Sequence, residues 1–161
     1  MKPDIILAGV LAKKHTFTLP LNYQNPIAEQ IQVFARELCS PENKDKKLPY
    51  IVFFQGGPGF AAMRPASNSG WIRRALKEYR VLLLDQRGTG LSTPINYQSL
   101  QHLDPAAQAD YLSHFRADNI IRDAETIRAQ LCPAETVAAA VMCVTPYCIG
   151  QSSDRYFQFT K

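Results

Sequence analysis

Neither a bilayer-spanning run, nor a metal-ligating cysteine pair, nor a strong charge of one sign occurs in this chain of 161 residues. The apolar stretch near the start, Ile5–Ala12, is interrupted by Gly9 and falls well short of the roughly 20 residues a membrane helix needs. Asp4 at its head and Lys13-Lys14 behind it are the wrong flanks for a signal peptide. The four cysteines (Cys39, Cys132, Cys143, Cys148) show no CxxC spacing, which argues against a zinc site and reads as free thiols in a reducing, cytoplasmic compartment. The net charge is only +4, and the one dense basic cluster, Lys44, Lys46 and Lys47, is broken by Asp45. Such a cluster reads as a solvated loop, not a nucleic-acid surface. There is no internal repeat and no low-complexity tract. No metal, cofactor, nucleic acid or membrane partner is expected.

What the chain does have is 46% hydrophobic and 20% charged residues, the balance of a globular domain with a core of its own. The stretch Tyr50–Ser92 organises it. Two short apolar runs, Tyr50–Phe54 and Val81–Leu84, each end in a polar, glycine-rich turn. Between them, Trp71, Ile72, Ala75, Leu76 and Tyr79 recur at helical spacing, with Arg73, Arg74, Lys77 and Glu78 off that face. Strand, turn, helix, strand, turn is a βαβ unit, and continuously apolar strands imply a sheet covered on both faces.

Both turns fall at the carboxyl ends of their strands, where open α/β sheets hold ligands. The first, Gln55-Gly56-Gly57-Pro58-Gly59, lets a substrate approach the backbone and can aim N–H groups at a developing oxyanion. The second is Asp85-Gln86-Arg87-Gly88-Thr89-Gly90-Leu91-Ser92. The pair, GGPG then DQRGTGLS, resembles the α/β-hydrolase fold and, within it, the proline iminopeptidase family of serine aminopeptidases. The resemblance runs from about His15 to about Arg128 and includes FTLPLNYQNP, IQVFARE, GWIRRALKEYRVLLLDQRGTGLSTP and FRADNIIRDAETIR. It implies a partial α/β-hydrolase fold: a mostly parallel sheet with helices on both faces and an antiparallel N-terminal start. It also implies a peptide substrate with N-terminal proline. The family usually carries histidine before GGPG, and this chain has Gln55. Gly56, Pro58, Gly59, Asp85, Arg87, Gly88 and Gly90 are the structural residues of the two turns.

Along the chain, His15–Leu21 and Gln30–Glu37 alternate as strands of an opening hairpin, joined by a turn over Asn22–Pro26. Ser40–Leu48, Ala61–Ser69 and Ser92–Gln101 read as connections. Asp104-Pro105 is a helix start, with Asp as the cap and Pro in the first turn, ahead of Ala106–Phe115. A helix over Asn119–Leu131 then places Ile120, Ala124, Ile127 and Leu131 on its apolar face, with Arg122, Asp123, Glu125 and Arg128 mostly off it; Pro133 stops it. Thr136–Cys148 is apolar enough for a buried strand.

Residues 133–161 form a divergent tail. A nucleophile elbow has the pattern GxSxG; here Gly150-Gln151-Ser152-Ser153-Asp154 matches its beginning and departs at Asp154. Ser152 is the candidate nucleophile, and the resemblance assigns the oxyanion hole to the N–H groups near Gly57 and at Ser153. In this fold the acid and then the histidine follow the serine. Nine residues follow Ser152, and the three histidines, His15, His102 and His114, all precede it and read as surface or loop residues. A serine without a base in reach is a poor nucleophile. The chain therefore reads as one N-terminal part of an α/β-hydrolase domain, without the cap domain and the C-terminal half, inactive alone and prone to aggregate through an exposed sheet edge. The alternatives are a non-catalytic truncated remnant or binding module, and another α/β-hydrolase such as an esterase.

Overall fold

The two apolar runs lie side by side. In a computed structural model, which describes residues 4–7, 9–55, 59–65, 70–131 and 140–143, Tyr50–Phe54 (β4) and Arg80–Asp85 (β5) pair in parallel, Ile51 opposite Val81 and Phe54 opposite Leu84. Their alternate side chains go to opposite faces. Ile51, Phe53, Val81 and Leu83 pack against Ile72, Ala75 and Leu76, which lie in and just after the helix Gly70–Ala75 (α1). Val52, Phe54, Leu82 and Leu84 pack against Ala124 and Ile127 of the helix Ala117–Leu131 (α4). Both faces of both strands are thus covered, which is why neither strand shows a polar alternation. Ile127 is fully buried; cutting it to alanine would cost about 2–5 kcal/mol.

The expected helix over 71–79 is shorter as a regular element. It ends at Ala75 and continues as hydrogen-bonded turns, with Leu76 N–H on the Ile72 carbonyl and Tyr79 N–H on the Ala75 carbonyl. Its apolar face is the expected one, with Trp71 stacked on Phe53 at 5.2 Å between ring centroids. Between β5 and α4 lie a four-residue helix, Tyr97–Leu100 (α2), within the expected connection, and Pro105–Ser113 (α3). Asp104 caps α3 through one carboxylate oxygen, which accepts from the N–H groups of Ala106 and Ala107 at 2.9 Å each.

The rest of the sheet is built from Asp4–Leu7 (β1), Val10–Pro20 (β2), Gln30–Cys39 (β3) and Ala140–Cys143 (β6). Among the described residues the order is β1-β2-β3-β5-β4-β6. The antiparallel start is present, and it is larger than expected. The pairs β1–β2, β2–β3 and β3–β5 are antiparallel, and only β4–β5 and β4–β6 are parallel. The cause is connectivity. A parallel pair needs a crossover, and only two crossovers, one through α1 and one through α2 to α4, precede β6. The opening strands also reach further than their alternation suggested, because the apolar run Ile5–Ala12 is consumed by β1 and the start of β2.

Candidate active-site scaffold at the carboxyl ends of the strands

Asp85, the last residue of β5, binds the two glycine-rich turns together. It is buried. Its Oδ1 accepts from the Ala62 N–H at 2.8 Å, on the segment that follows GGPG, and its Oδ2 accepts from the Leu91 N–H at 2.9 Å, in its own turn. Its carbonyl accepts from the Ser92 hydroxyl, and Ser92 Oγ in turn accepts from the Phe34 N–H of β3 at 2.9 Å. Charge-assisted bonds of this kind are stronger than neutral ones, so one carboxylate sets the spacing of two loops and fixes both to the sheet. Gly90 makes that possible. Its φ is +57°, and a Cβ there would stand 2.2 Å from Asp85 Oδ2 and 2.9 Å from Ala61 Cβ. Gln86 adds a second tie, its side-chain amide donating to the Gln55 carbonyl at 3.1 Å where β4 ends. Gly88, at φ +82°, makes an isolated parallel bridge with Pro94, the Ile95 N–H donating to the Gly88 carbonyl at 3.2 Å.

Arg87 faces the other way. Its Nε and Nη2 donate to Asp123 Oδ2 and Oδ1 at 2.7 and 2.6 Å. Nη1 also donates to the carbonyls of Leu21 and His114, and Nη2 to that of Pro20. A guanidinium has five N–H groups, and all are committed. Tyr23 donates its hydroxyl to Asp123 Oδ1 at 2.8 Å and lies under the guanidinium. Burial pushes the Tyr23 phenol up to about 12. Arg87 therefore fastens the turn to the end of β2 and to the α3–α4 junction, and it has no donor left for a substrate.

Asp123 is the residue that sequence reasoning misplaced. Taken as a solvent-side residue of α4, it is 1% exposed. The missed signal is positional: Asp123 stands three after Ile120 and four before Ile127, so it shares their face. Tyr23, placed in a turn, carries no such local signal, since its partner is a hundred residues away.

The histidines stand apart from one another, and the contact of His114 with the second turn is through its carbonyl, on Arg87 Nη1. His15, read as a surface or loop residue, stands within β2 with its side chain 12% exposed, its Nε2 2.7 Å from Glu37 Oε2. Glu37 also accepts from Arg80 Nη1. Burial pushes the Glu37 carboxyl up, but the hydrogen bonds and charges of His15 and Arg80 outweigh it and hold the group below its usual range. Of this trio, Arg80 opens β5 five residues before Asp85, Glu37 stands opposite Leu82, and His15 lies two strands from β5 at the level of Leu84 with its ring turned to Glu37. His102 is exposed and His114 closes α3. Among the described residues no three of His, Cys, Asp or Glu cluster as a metal site, and no helix is long and apolar enough to cross a membrane. Gly59 is described, exposed and at φ +110°. Gly56, Gly57, Pro58, Ser152 and Ser153 lie outside the described residues.

No protein-family model matches the chain. Over 129 residues it is 58% identical to a protein named proline iminopeptidase from Aeromonas sobria, covering 80% of this chain and 30% of that protein. Over 132 residues it is 42% identical to proline iminopeptidase aneH from Aspergillus aculeatus, covering 78% of this chain and 29% of that protein. A cold-adapted esterase from an Arctic intertidal metagenomic library, solved with bound PEG, is a distant likeness at 12% identity and a TM-score of 0.42, over 88% of this chain and 54% of that one. The chain thus matches less than a third of the length of either curated relative, and over the matched residues it is their homologue.

Proposed function

We propose that this homologue of proteins named proline iminopeptidase carries the sheet and loop scaffold of a serine aminopeptidase that releases N-terminal proline from peptides. The observation that carries the reading is the 58% identity over 129 residues, in a chain whose two glycine-rich turns are tied together by one buried carboxylate. In the proposed chemistry, Ser152 attacks the carbonyl of the proline residue, and N–H groups near Gly57 and at Ser153 receive the oxyanion. Asp85 acts through the backbone: by holding Ala62 and Leu91 it positions the loop that follows GGPG. To act, Ser152 needs a general base within hydrogen-bond reach. The 161 residues are proposed as one part of an α/β-hydrolase domain, residues 133–161 being a divergent tail. A cytoplasmic setting fits the unpaired cysteine spacing.

The test is a chimera. The 129 matched residues replace the corresponding stretch of the Aeromonas sobria protein, and turnover of a prolyl-arylamide is compared with that of a short acyl ester. Retained arylamide cleavage is expected. A folded chimera that cleaves only the ester would move the reading to an esterase, and one that binds peptide without cleaving it would move it to a binding module.

A further inference from the structure

Arg36 stands on β3 between Lys14 of β2 and Leu83 of β5. It is 7% exposed, yet no acceptor among the described residues takes a hydrogen bond from its guanidinium. Its Cζ lies 5.4 Å from the centroid of the Phe34 ring, and Phe34 faces Asp85 across the β3–β5 ladder. The guanidinium therefore leans toward the carboxyl end of β5, where the two glycine-rich turns meet. Asp85 reaches it through charge and not through a hydrogen bond, both Asp85 oxygens being taken by the Ala62 and Leu91 N–H groups. Arg64, two residues beyond the Ala62 that binds Asp85, adds a second positive charge within electrostatic reach of Arg36. Burial pushes the Arg36 guanidinium down, Arg64 adds to that, and Asp85 opposes it. Two cations of like sign act on one another here, the inner one buried with no hydrogen-bond acceptor among the described residues. Buried polar groups in native proteins find partners, and a buried charge without one is costly. A guanidinium fork matches the paired oxygens of a carboxylate or a phosphate, and a peptide substrate supplies the carboxylate.

We propose that Arg36 and Arg64 form a carboxylate-binding subsite beneath the β4–α1 loop, and that its ligand is the C-terminal carboxylate of a short peptide substrate. The identity of that ligand rests on the aminopeptidase reading. In the strand order, β3 stands three positions from β6, the strand that leads toward Ser152, which is about 14 Å at ~4.8 Å per strand. An extended peptide crosses that distance in about four residues at ~3.5 Å each. A peptide of about five residues would thus reach from Arg36 across the described sheet to β6. Bound there, the carboxylate accepts from the Arg36 donors and compensates the charge that Asp85 meets only at a distance.

Isothermal titration calorimetry of the 161-residue chain tests this with three probes: Pro-Gly-Gly-Gly-Gly, its C-terminal amide, and N-acetyl-tetraglycine, which keeps the carboxylate and lacks a free amino end. The free acid is expected to bind at least about tenfold tighter than the amide, as a charge-assisted bond warrants. The difference should vanish in Arg36→Gln and shrink in Arg64→Gln. Arg64 is exposed, so its variant carries the test if Arg36→Gln loses its circular dichroism signal. Equal binding of acid and amide overturns the subsite and leaves the aminopeptidase reading standing. Acetyl-tetraglycine binding as tightly as the proline peptide, with the same dependence on Arg36, supports the subsite and removes the aminopeptidase reading. No binding by any of the three overturns the subsite.

Discussion

Arg87 and Asp123 face each other through two parallel hydrogen bonds of 2.7 and 2.6 Å, with both side chains hidden from solvent. Removing one partner of such a pair leaves a buried charge uncompensated and costs about 3–5 kcal/mol, a large part of the about 5–15 kcal/mol that holds a domain together. Asp123→Leu or Arg87→Met alone should therefore shift the urea midpoint strongly downward. The double variant should recover much of that loss, because two apolar side chains leave no charge behind. Additive losses in the three unfolding curves would mean that the pair is not coupled as its geometry implies.

Tyr23 gives the same network a pH signature. Its phenol, raised to about 12 in the folded state from a reference of 10.0, keeps its proton where the unfolded chain has lost it. The stability it contributes is whole below pH 10 and is lost as the pH rises toward 12. Tyr23→Phe should remove one tyrosinate step near pH 12 from the absorbance titration and flatten the alkaline fall in stability. A titration curve unchanged by the substitution would place the phenol outside the buried pair.

Much of this architecture is legible in the residues, and the part that is not has a common cause. β4 and β5 declare themselves because unbroken apolar runs bounded by glycine-rich turns have few other uses. Asp104-Pro105 declares α3 because a cap acts within three residues. Asp123, Tyr23 and Glu37 do not, because each is paired with a partner that only the fold brings near. A periodicity count scores an acid as solvent-facing, so a carboxylate paired inside the core is read backwards. The site divides the same way. The turns can be picked out as a pair, but that Asp85 joins them through the Ala62 N–H depends on a loop with no local pattern.

That join can be tested at Gly90. A side chain there meets both a left-handed backbone, worth about 1–3 kcal/mol for a non-glycine residue, and the Asp85 carboxylate at 2.2 Å. Gly90→Ala should destabilise the chain by at least about 2 kcal/mol. It should also speed hydrogen exchange at the Ala62 amide, since the carboxylate must move to make room. Asp85→Ala should speed the same amide without any backbone strain. If Ala62 exchange is unchanged in both variants, the two turns are not coupled through Asp85.

Glu37 sets the acid limb. Its folded-state value lies below the reference of 4.5, so the unfolded chain takes up the proton first. The contribution is present above about pH 4.5 and is lost as the pH falls through the folded value. Glu37→Gln keeps the shape and removes the charge; the variant's stability should depend less on pH below 4.5 than the parent's. Parallel acid limbs for the two proteins would assign the limb to other carboxylates.

The last expectation concerns the sheet's far edge. β6 is the terminal strand in the order, pairing among the described residues with β4 alone, Ile51 opposite Ala140 and Phe54 opposite Cys143. An edge strand offers a row of N–H and C=O groups to any other strand, and natural edges are blunted with charges, proline or a cover. The sequence Ala140-Val141-Met142-Cys143 carries no charge and no proline. A second copy of the chain supplies the same edge, so the expected product is a self-associated species growing with concentration. Successive residues of a strand point to opposite faces, so Val141→Lys and Met142→Lys together place a charge on each. Light scattering behind a sizing column should show the parent above monomer mass and the charged variants shifted toward it. A parent that stays a single monomer across a hundredfold range of concentration would mean that this edge is closed in solution.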